Sequence, residues 1–358
     1  TLPLLRRLSL FKYALVCRAL PRVARGYDQV ILSYGEGPAL DRPVLQVLHA
    51  PQLFTAARPA LAVLGARTRG PALYLRQAYA RLCTRIARPQ MTGPGIATLA
   101  NAHWSARKAA EWTGLTGAEV LYPEVRPPAR PDPLPPRDPH RILALGRIVP
   151  NKRLEEAVAL VEALRAQGLP ARLEILGRAD TAYARRLIRR LRGHPHVNIT
   201  ANATPTELAL ALARARLGYH GYRSEHFGIA VGEMIAAGVI PIVQDAGGVC
   251  ELVPEADLRV THRAEAVLAA RRIMGLSPRA ARRRVAQLQR GAALTQALNF
   301  STCLADRIAR HVGPGPRVRH RVPSLHPTPA AAAAPPPDPR LPGFLQAGAR
   351  PPCPGSGH

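Results

Sequence analysis

The sequence predicts an α/β protein whose strands form doubly wound parallel sheets. From His140 onward, short apolar runs alternate with single helices, the pattern of parallel strands joined by right-handed crossovers. Turns bearing glycine follow several of those runs, and a proline-dense stretch separates this half from an earlier one of less regular texture. A length of 358 residues is a soft prior for two domains, and an apolar fraction of 47% is ample for two cores.

In chain order, residues 1–26 read as a basic amphipathic helix. Leu4, Leu5, Leu8, Phe11, Ala14, Leu15 and Cys17 recur near helical spacing among Arg6, Arg7, Lys12, Arg18, Arg22 and Arg25. Tyr27–Tyr34 and Val44–His49 read as strands, and residues 56–89 as helix rich in arginine and free of acid. Thr98–Asn101 is the next strand, followed by a helix that Ser105 is expected to cap and that runs to Thr113; Val120–Tyr122 is a further short strand. Residues 126–139 (RPPARPDPLPPRDP) cannot be helix or central strand, because proline fixes φ and removes donors. They are predicted to be a linker between a first domain (1–125) and a second (140–290).

In the second half the expected strands are Arg141–Gly146, Arg172–Gly177, Val197–Thr200, Leu217–His220, Val239–Gln244 and Leu258–Thr261. Helices fall at 152–167, 180–192, 205–214 and 229–237, and Thr204-Pro-Thr-Glu207 has the form of a capping box. Residues 263–312 read as helical, with a C-terminal helix over 291–312. The Pro/Ala/Gly-rich end, 313–358, has the composition of a disordered tail.

The formal charge is +27, carried almost wholly by arginine, with lysine only at Lys12, Lys108 and Lys152. Such an excess fits a polyanionic partner: an anionic membrane surface, a phosphorylated substrate or nucleic acid. Nucleic acid fits poorly, because there is no recognition-helix motif, no zinc spacing and only 4% aromatic residues. Five scattered cysteines form no C-x-x-C pair, so neither a zinc site nor a disulfide framework is expected. No apolar run approaches the roughly 20 residues that span a bilayer, and no signal peptide is evident. The expected setting is cytoplasmic. The first residue is Thr1, which points to a fragment or a processed start.

Ligands of open α/β sheets sit beyond the carboxyl ends of the strands. After the first strand of the second half comes Gly146-Arg147, with Lys152 five residues on. This pair reads either as a grip on a diphosphate or as two solvated surface cations. After the fourth strand come Glu225, His226, Phe227, Gly228, Ile229 and then Glu233. Gly228 at a helix start lets backbone N–H groups approach a phosphate. After the fifth strand, Gly247-Gly248 and Glu251 form a third such turn.

The run EHFGIAVGEMIAAGVIPIVQDAGGVCELV resembles the donor-binding signature of glycosyltransferase family 4, preceded as in that family by a G-R-x4-K element and followed by G-G-x-x-E. The resemblance is specific over about residues 140–262 and looser over 27–125. EHFGI and AAG resemble most the α-1,2-mannosyltransferases that extend the dolichol-linked oligosaccharide. It implies a GT-B fold of two Rossmann-like domains, the N-terminal one incomplete. The implied activity is metal-independent, retaining hexosyl transfer from a nucleotide-diphosphate sugar to a glycan or lipid-linked acceptor, with no cofactor and GDP-mannose favoured over a UDP-sugar.

Carried over by position, Arg147 and Lys152 would neutralise the leaving diphosphate beside Gly146. The amides of Phe227, Gly228 and Ile229 would cradle its distal phosphate. Glu225 and His226 would meet the donor sugar, and Glu233 the ribose. Gly247 and Gly248 would close over the sugar with Glu251 as support. His49 would face the donor sugar, and Asn101 and Ser105 would shape the acceptor side. Members acting on lipid-linked acceptors lie on the membrane's cytoplasmic face, which would explain the arginine-rich helices. The alternatives are a degenerate GT-B scaffold and a polyanion-binding protein without transferase activity.

Overall fold

The computed structural model describes residues 9–33, 35–49 and 71–312; the expected disordered tail lies outside them. Two parallel sheets dominate. The first contains β1 (Val30–Leu32), β3 (Val44–Leu48), β5 (Ile96–Ala100) and β6 (Glu119–Val120) in that order, every neighbouring pair parallel. A two-stranded antiparallel pair, β2 (Gly37–Pro38) with β4 (Pro89–Gln90), stands apart.

The second sheet contains β7 (Asp138–Leu145), β8 (Arg172–Gly177), β9 (Val197–Ala201), β10 (Ala215–His220), β11 (Ile240–Gln244) and β12 (Arg259–Val260). Its spatial order is β12-β11-β10-β7-β8-β9, all parallel. Read from the other edge, this is the 3-2-1-4-5-6 order of a dinucleotide-binding fold. Chain direction across the sheet reverses between β7 and β10, which leaves a crevice beyond their carboxyl ends.

Alternation along β7 shows why helices cover both faces. Ile142 and Ala144 enter one apolar cluster with α4 (Leu154–Ala166), while Leu143 enters another with α6 (Pro205–Arg214). The remaining helices of this half are α5 (Ala182–Leu191), α7 (Ile229–Ala236), α8 (Arg263–Met274) and α9 (Pro278–Gln289). The capping box at Thr204 and Glu207 forms in full: the Thr204 hydroxyl accepts from Glu207 N, and the Glu207 carboxylate accepts from Thr204 N. Residues 126–137 take no regular structure, and β7 begins at Asp138.

In the first half, α1 (Ser9–Val23) packs on α2 (Pro71–Ala87) through Ala14, Cys17, Cys83 and Ala87. The helix before Thr113, α3, spans His103–Thr113. Ala102 is its N-cap, without a side-chain cap bond, so Ser105 lies inside the first turns rather than at the cap. The single helix read over 291–312 is two, α10 (Ala292–Leu298) and α11 (Phe300–Val312). Phe300, Leu304 and Ile308 of α11 return to the first sheet and pack on Leu45, Leu99 and Leu121. Arg307 Nε lies 2.9 Å from Glu119 Oε2, adding a polar tie to the same crossing.

Thr204→Ala removes one half of the capping box, and its cost should be about 1 kcal/mol of unfolding free energy. Urea titration would read this as a lower midpoint at unchanged slope; an unaltered midpoint would show that the box contributes nothing to global stability.

Candidate functional site

The site assembles where the carboxyl ends of the two sheets face each other. From the second sheet, the loop after β7 carries Gly146, Arg147 and Lys152, and the loop after β10 carries Glu225 to Gly228. These loops flank the crevice between β7 and β10. Lys152 Nζ is 2.5 Å from Glu225 Oε2 and 5.1 Å from the centroid of the Tyr222 ring. His220, the last residue of β10 and buried, places Nε2 3.0 Å from the same Oε2.

Two residues with separate expected duties, a phosphate cation and a sugar-binding carboxylate, therefore form one ion pair. Burial opposes ionisation of Glu225, but His220 and Lys152 outweigh it and hold the carboxyl well below the usual range. Burial conversely pushes the His220 imidazole down, against the pull of Glu225. Glu225 Oε1 has no partner among the described residues and is available to a hydroxyl donor. Lys152 retains two of its three donors for a phosphate. Arg147 is exposed and forms no ion pair among the described residues.

Gly228 is the N-cap of α7 and sits at φ 98°, a region closed to most side chains. The N–H groups of Phe227, Gly228 and Ile229 have no partner among the described residues, as befits a helix start awaiting an anion. Glu233, on the second turn of α7, likewise lacks a partner there, and burial alone raises its pKa.

The Gly247-Gly248 turn packs against the loop that carries Glu225 and His226. A Cβ on Gly247 would sit 2.4 Å from Glu225 O, and one on Gly248 would sit 1.8 Å from His226 O. Gly248 N donates to Glu225 O at 2.8 Å. The two glycines let this turn lie directly on the Glu225–His226 backbone, so the N–H of Gly248 is spent on protein.

Glu251, expected as a supporting residue, links the two halves. Its carboxylate accepts from His103 N (2.9 Å), Trp104 N (2.8 Å) and the Tyr122 hydroxyl (3.0 Å). It supplies the N-terminal cap that α3 lacks in its own sequence, where orphan N–H groups and the helix dipole favour an anion. Beside it the Trp104 ring stacks on His226, with centroids 5.6 Å apart, and Tyr122 packs on Phe227 at 5.3 Å.

The first sheet presents His49 and Asn101 from the ends of β3 and β5. Asn101 Nδ2 lies 3.0 Å from His49 Nδ1, and His49 Nε2 lies 3.1 Å from Ser33 O. With an amide donor on Nδ1, the ring proton is placed on Nε2, donating to Ser33. The His49 pKa is lowered by burial, which keeps it neutral. Asn101 is buried and its Oδ1 has no partner among the described residues. Ser105 is also buried, and its hydroxyl donates to His49 O at 3.2 Å, holding the loop after β3. His49 is near enough to depress His226, whose pKa burial already lowers.

Sequence reasoning missed His220, Trp104 and Tyr122. A strand-end position before Gly221 could have marked His220. Nothing local marks the two aromatics, which matter only through contacts across the chain.

Residues 125–276 match the family model described as glycosyl transferases group 1. No curated protein matches by sequence. Among solved structures, sucrose-phosphate synthase from Thermosynechococcus elongatus shares 18% identity at a TM-score of 0.57, covering 84% of this chain and 80% of its own. WaaG, a glycosyltransferase involved in lipopolysaccharide biosynthesis, shares 18% at 0.58, covering 85% and 82%. A trehalose-6-phosphate synthase shares 13% at 0.58, covering 83% and 78%. Likeness at these identities shows the fold, the GT-B pairing of two Rossmann-like domains.

Glu251→Ala strands two helix-terminal N–H groups and the Tyr122 hydroxyl, and should cost about 2–3 kcal/mol of stability by denaturant titration. An effect within the surface-substitution range would show that water replaces the carboxylate. A second prediction concerns pH. The folded His220 pKa is depressed, so its stabilising contribution is complete above the free-imidazole value near 6.5 and is lost as pH falls below it. Unfolding midpoints taken from about pH 7.5 to about pH 5.5 should fall more steeply for the wild type than for His220→Gln; parallel curves would exclude this linkage.

Proposed function

We propose that the chain transfers a hexose with retention from a nucleotide-diphosphate sugar to a glycan or lipid-linked acceptor. The observation that carries this reading is the pairing of Lys152, on the loop that also bears Arg147, with Glu225 just before the open N-terminus of α7 at the crevice between β7 and β10, where His226 also feels His49. A leaving diphosphate develops negative charge as the anomeric carbon–oxygen bond breaks. Two cations and a row of backbone N–H groups stabilise that charge at fixed positions, with no need for a metal ion.

The acceptor hydroxyl attacks the anomeric carbon from the face the diphosphate leaves. One C–O bond forms as the other breaks, and the hydroxyl proton passes to a phosphate oxygen. Glu225 Oε1 accepts from a donor-sugar hydroxyl, and Glu233 from the ribose. Among the structural neighbours, the trehalose-6-phosphate synthase has been studied for enzymatic glycosyl transfer with retention. The pneumococcal O-GlcNAc transferase GtfA, 13% identical at a TM-score of 0.53, was solved with UDP and GlcNAc. GDP-mannose is favoured here because EHFGI and AAG resemble the mannosyltransferase branch.

A peripheral membrane setting is supported by the outer faces of α1 and α2. Leu15, Val16, Val23, Tyr74, Leu75 and Leu82 are exposed there, among Lys12, Arg18, Arg22, Arg81 and Arg85. Apolar side chains among cations suit an anionic lipid surface, at about 1 kcal/mol per cation. Among the described residues no helix is long and apolar enough to cross a membrane.

Calorimetric titration with GDP, UDP and ADP tests the donor site. One nucleotide should bind in the micromolar range, and Arg147→Ala or Glu233→Ala should weaken it about tenfold or more, since a hydrogen bond to a charged group contributes about 1.5–3 kcal/mol. A folded, monodisperse protein that binds none of the three would overturn the transferase reading and leave the degenerate scaffold.

A further inference from the structure

The donor crevice lies at the carboxyl ends of the second sheet, but a cavity of about 770 Å³ lies at the other end of the same strands. Its floor is apolar: Leu212 and Ala213 of α6, Ala236 and Ala237 at α7, Ile240 opening β11, and Val285 of α9. The proline-rich segment 127–135 forms its other wall. A volume of this size is typical of small-molecule sites.

Its charge is one-sided. Arg130, Arg137, Arg216 and Arg282 line it, and no acidic side chain does so among the described residues. Arg137 is committed to backbone, donating to Leu212 O at 3.0 Å and also to Ala215 O and Ala237 O. Arg216 donates to Leu276 O at 2.8 Å. Arg130 and Arg282 have no hydrogen-bond or ionic partner among the described residues. The Arg137 pKa is lowered by burial first and then by the charges of Arg130 and Arg216. Four guanidinium groups around an apolar floor disfavour one another until an anion joins them.

We propose that this cavity binds a single-chain amphiphilic anion, its apolar tail on the α6–α7–α9 floor and its phosphate or carboxylate head between Arg130 and Arg282. The concave shape selects a detached molecule rather than a bilayer face. The inference rests on the cavity alone and is independent of the donor-site reading.

The test is calorimetry of the full chain with dodecyl phosphate below its micellar concentration, beside inorganic phosphate and the uncharged dodecyl maltoside. Saturable one-to-one binding is expected for dodecyl phosphate, at least about tenfold tighter than for either control. The double variant R130E/R282E should lose about tenfold or more. Both side chains are exposed, so thermal unfolding of the unliganded variant should match the wild type and separate lost binding from lost folding. Equal affinity for the uncharged amphiphile would overturn the anionic head, and equal affinity for inorganic phosphate would overturn the tail. Dodecyl phosphate binding that is unsaturable, or unchanged in the variant, would overturn the site. A folding defect in R130E/R282E moves the same comparison to Arg130→Gln and Arg282→Gln singly, and unchanged binding in both would count against the proposal.

Discussion

Helix α3 begins without a capping side chain of its own, and the carboxylate that completes it comes from Glu251, far along the chain. The geometry of the site depends on that one anion. Glu251 closes the short turn that starts at Gly248, and Gly248 is bonded to the backbone of Glu225. Fixing Glu251 on α3 thus fixes the Glu225–Gly228 loop against the first sheet. The same contact sets Trp104 on His226 and Tyr122 on Phe227. A charge-assisted cap is suited to this task because it is directional and satisfies donors that would otherwise be left unpaired.

Two glutamates, one in the loop before α7 and one on its second turn, are driven apart in acidity by their neighbours. Glu225 is desolvated but lies against Lys152 and His220, so it stays ionised. Glu233 is desolvated without a cation beside it, and its pKa rises. Residues of one type, eight positions apart, thus acquire different character from environment alone. The neutral state of His220 follows from the same balance, since burial outweighs the pull of the carboxylate beside it.

The excess of arginine divides among unrelated tasks. Arg147 stands exposed on the loop after β7, Arg137 caps carbonyls at the far end of the sheet, Arg307 ties α11 to Glu119, and others stand on the outer faces of α1 and α2. A single net charge therefore points to no single partner. The position of each guanidinium, rather than the total, carries the information.

Sequence alone determined the class of fold, the parallel alternation and the glycosyltransferase signature, because these depend on local periodicity and on short runs such as EHFGI. The capping box at Thr204 was legible for the same reason: every partner lies within three residues. Tertiary structure decided what distant residues do to one another. Nothing near Ser105 shows that it lies inside a helix capped from Glu251, and nothing near Gly247 shows that a Cβ there would meet the Glu225 backbone. Lys152 and Glu225 could each be singled out from the residues around them. Their pairing, with His220 as third member, required β7 and β10 to be neighbours in the sheet, because an ion pair is set by distance in space and the chain separates its members by 73 residues.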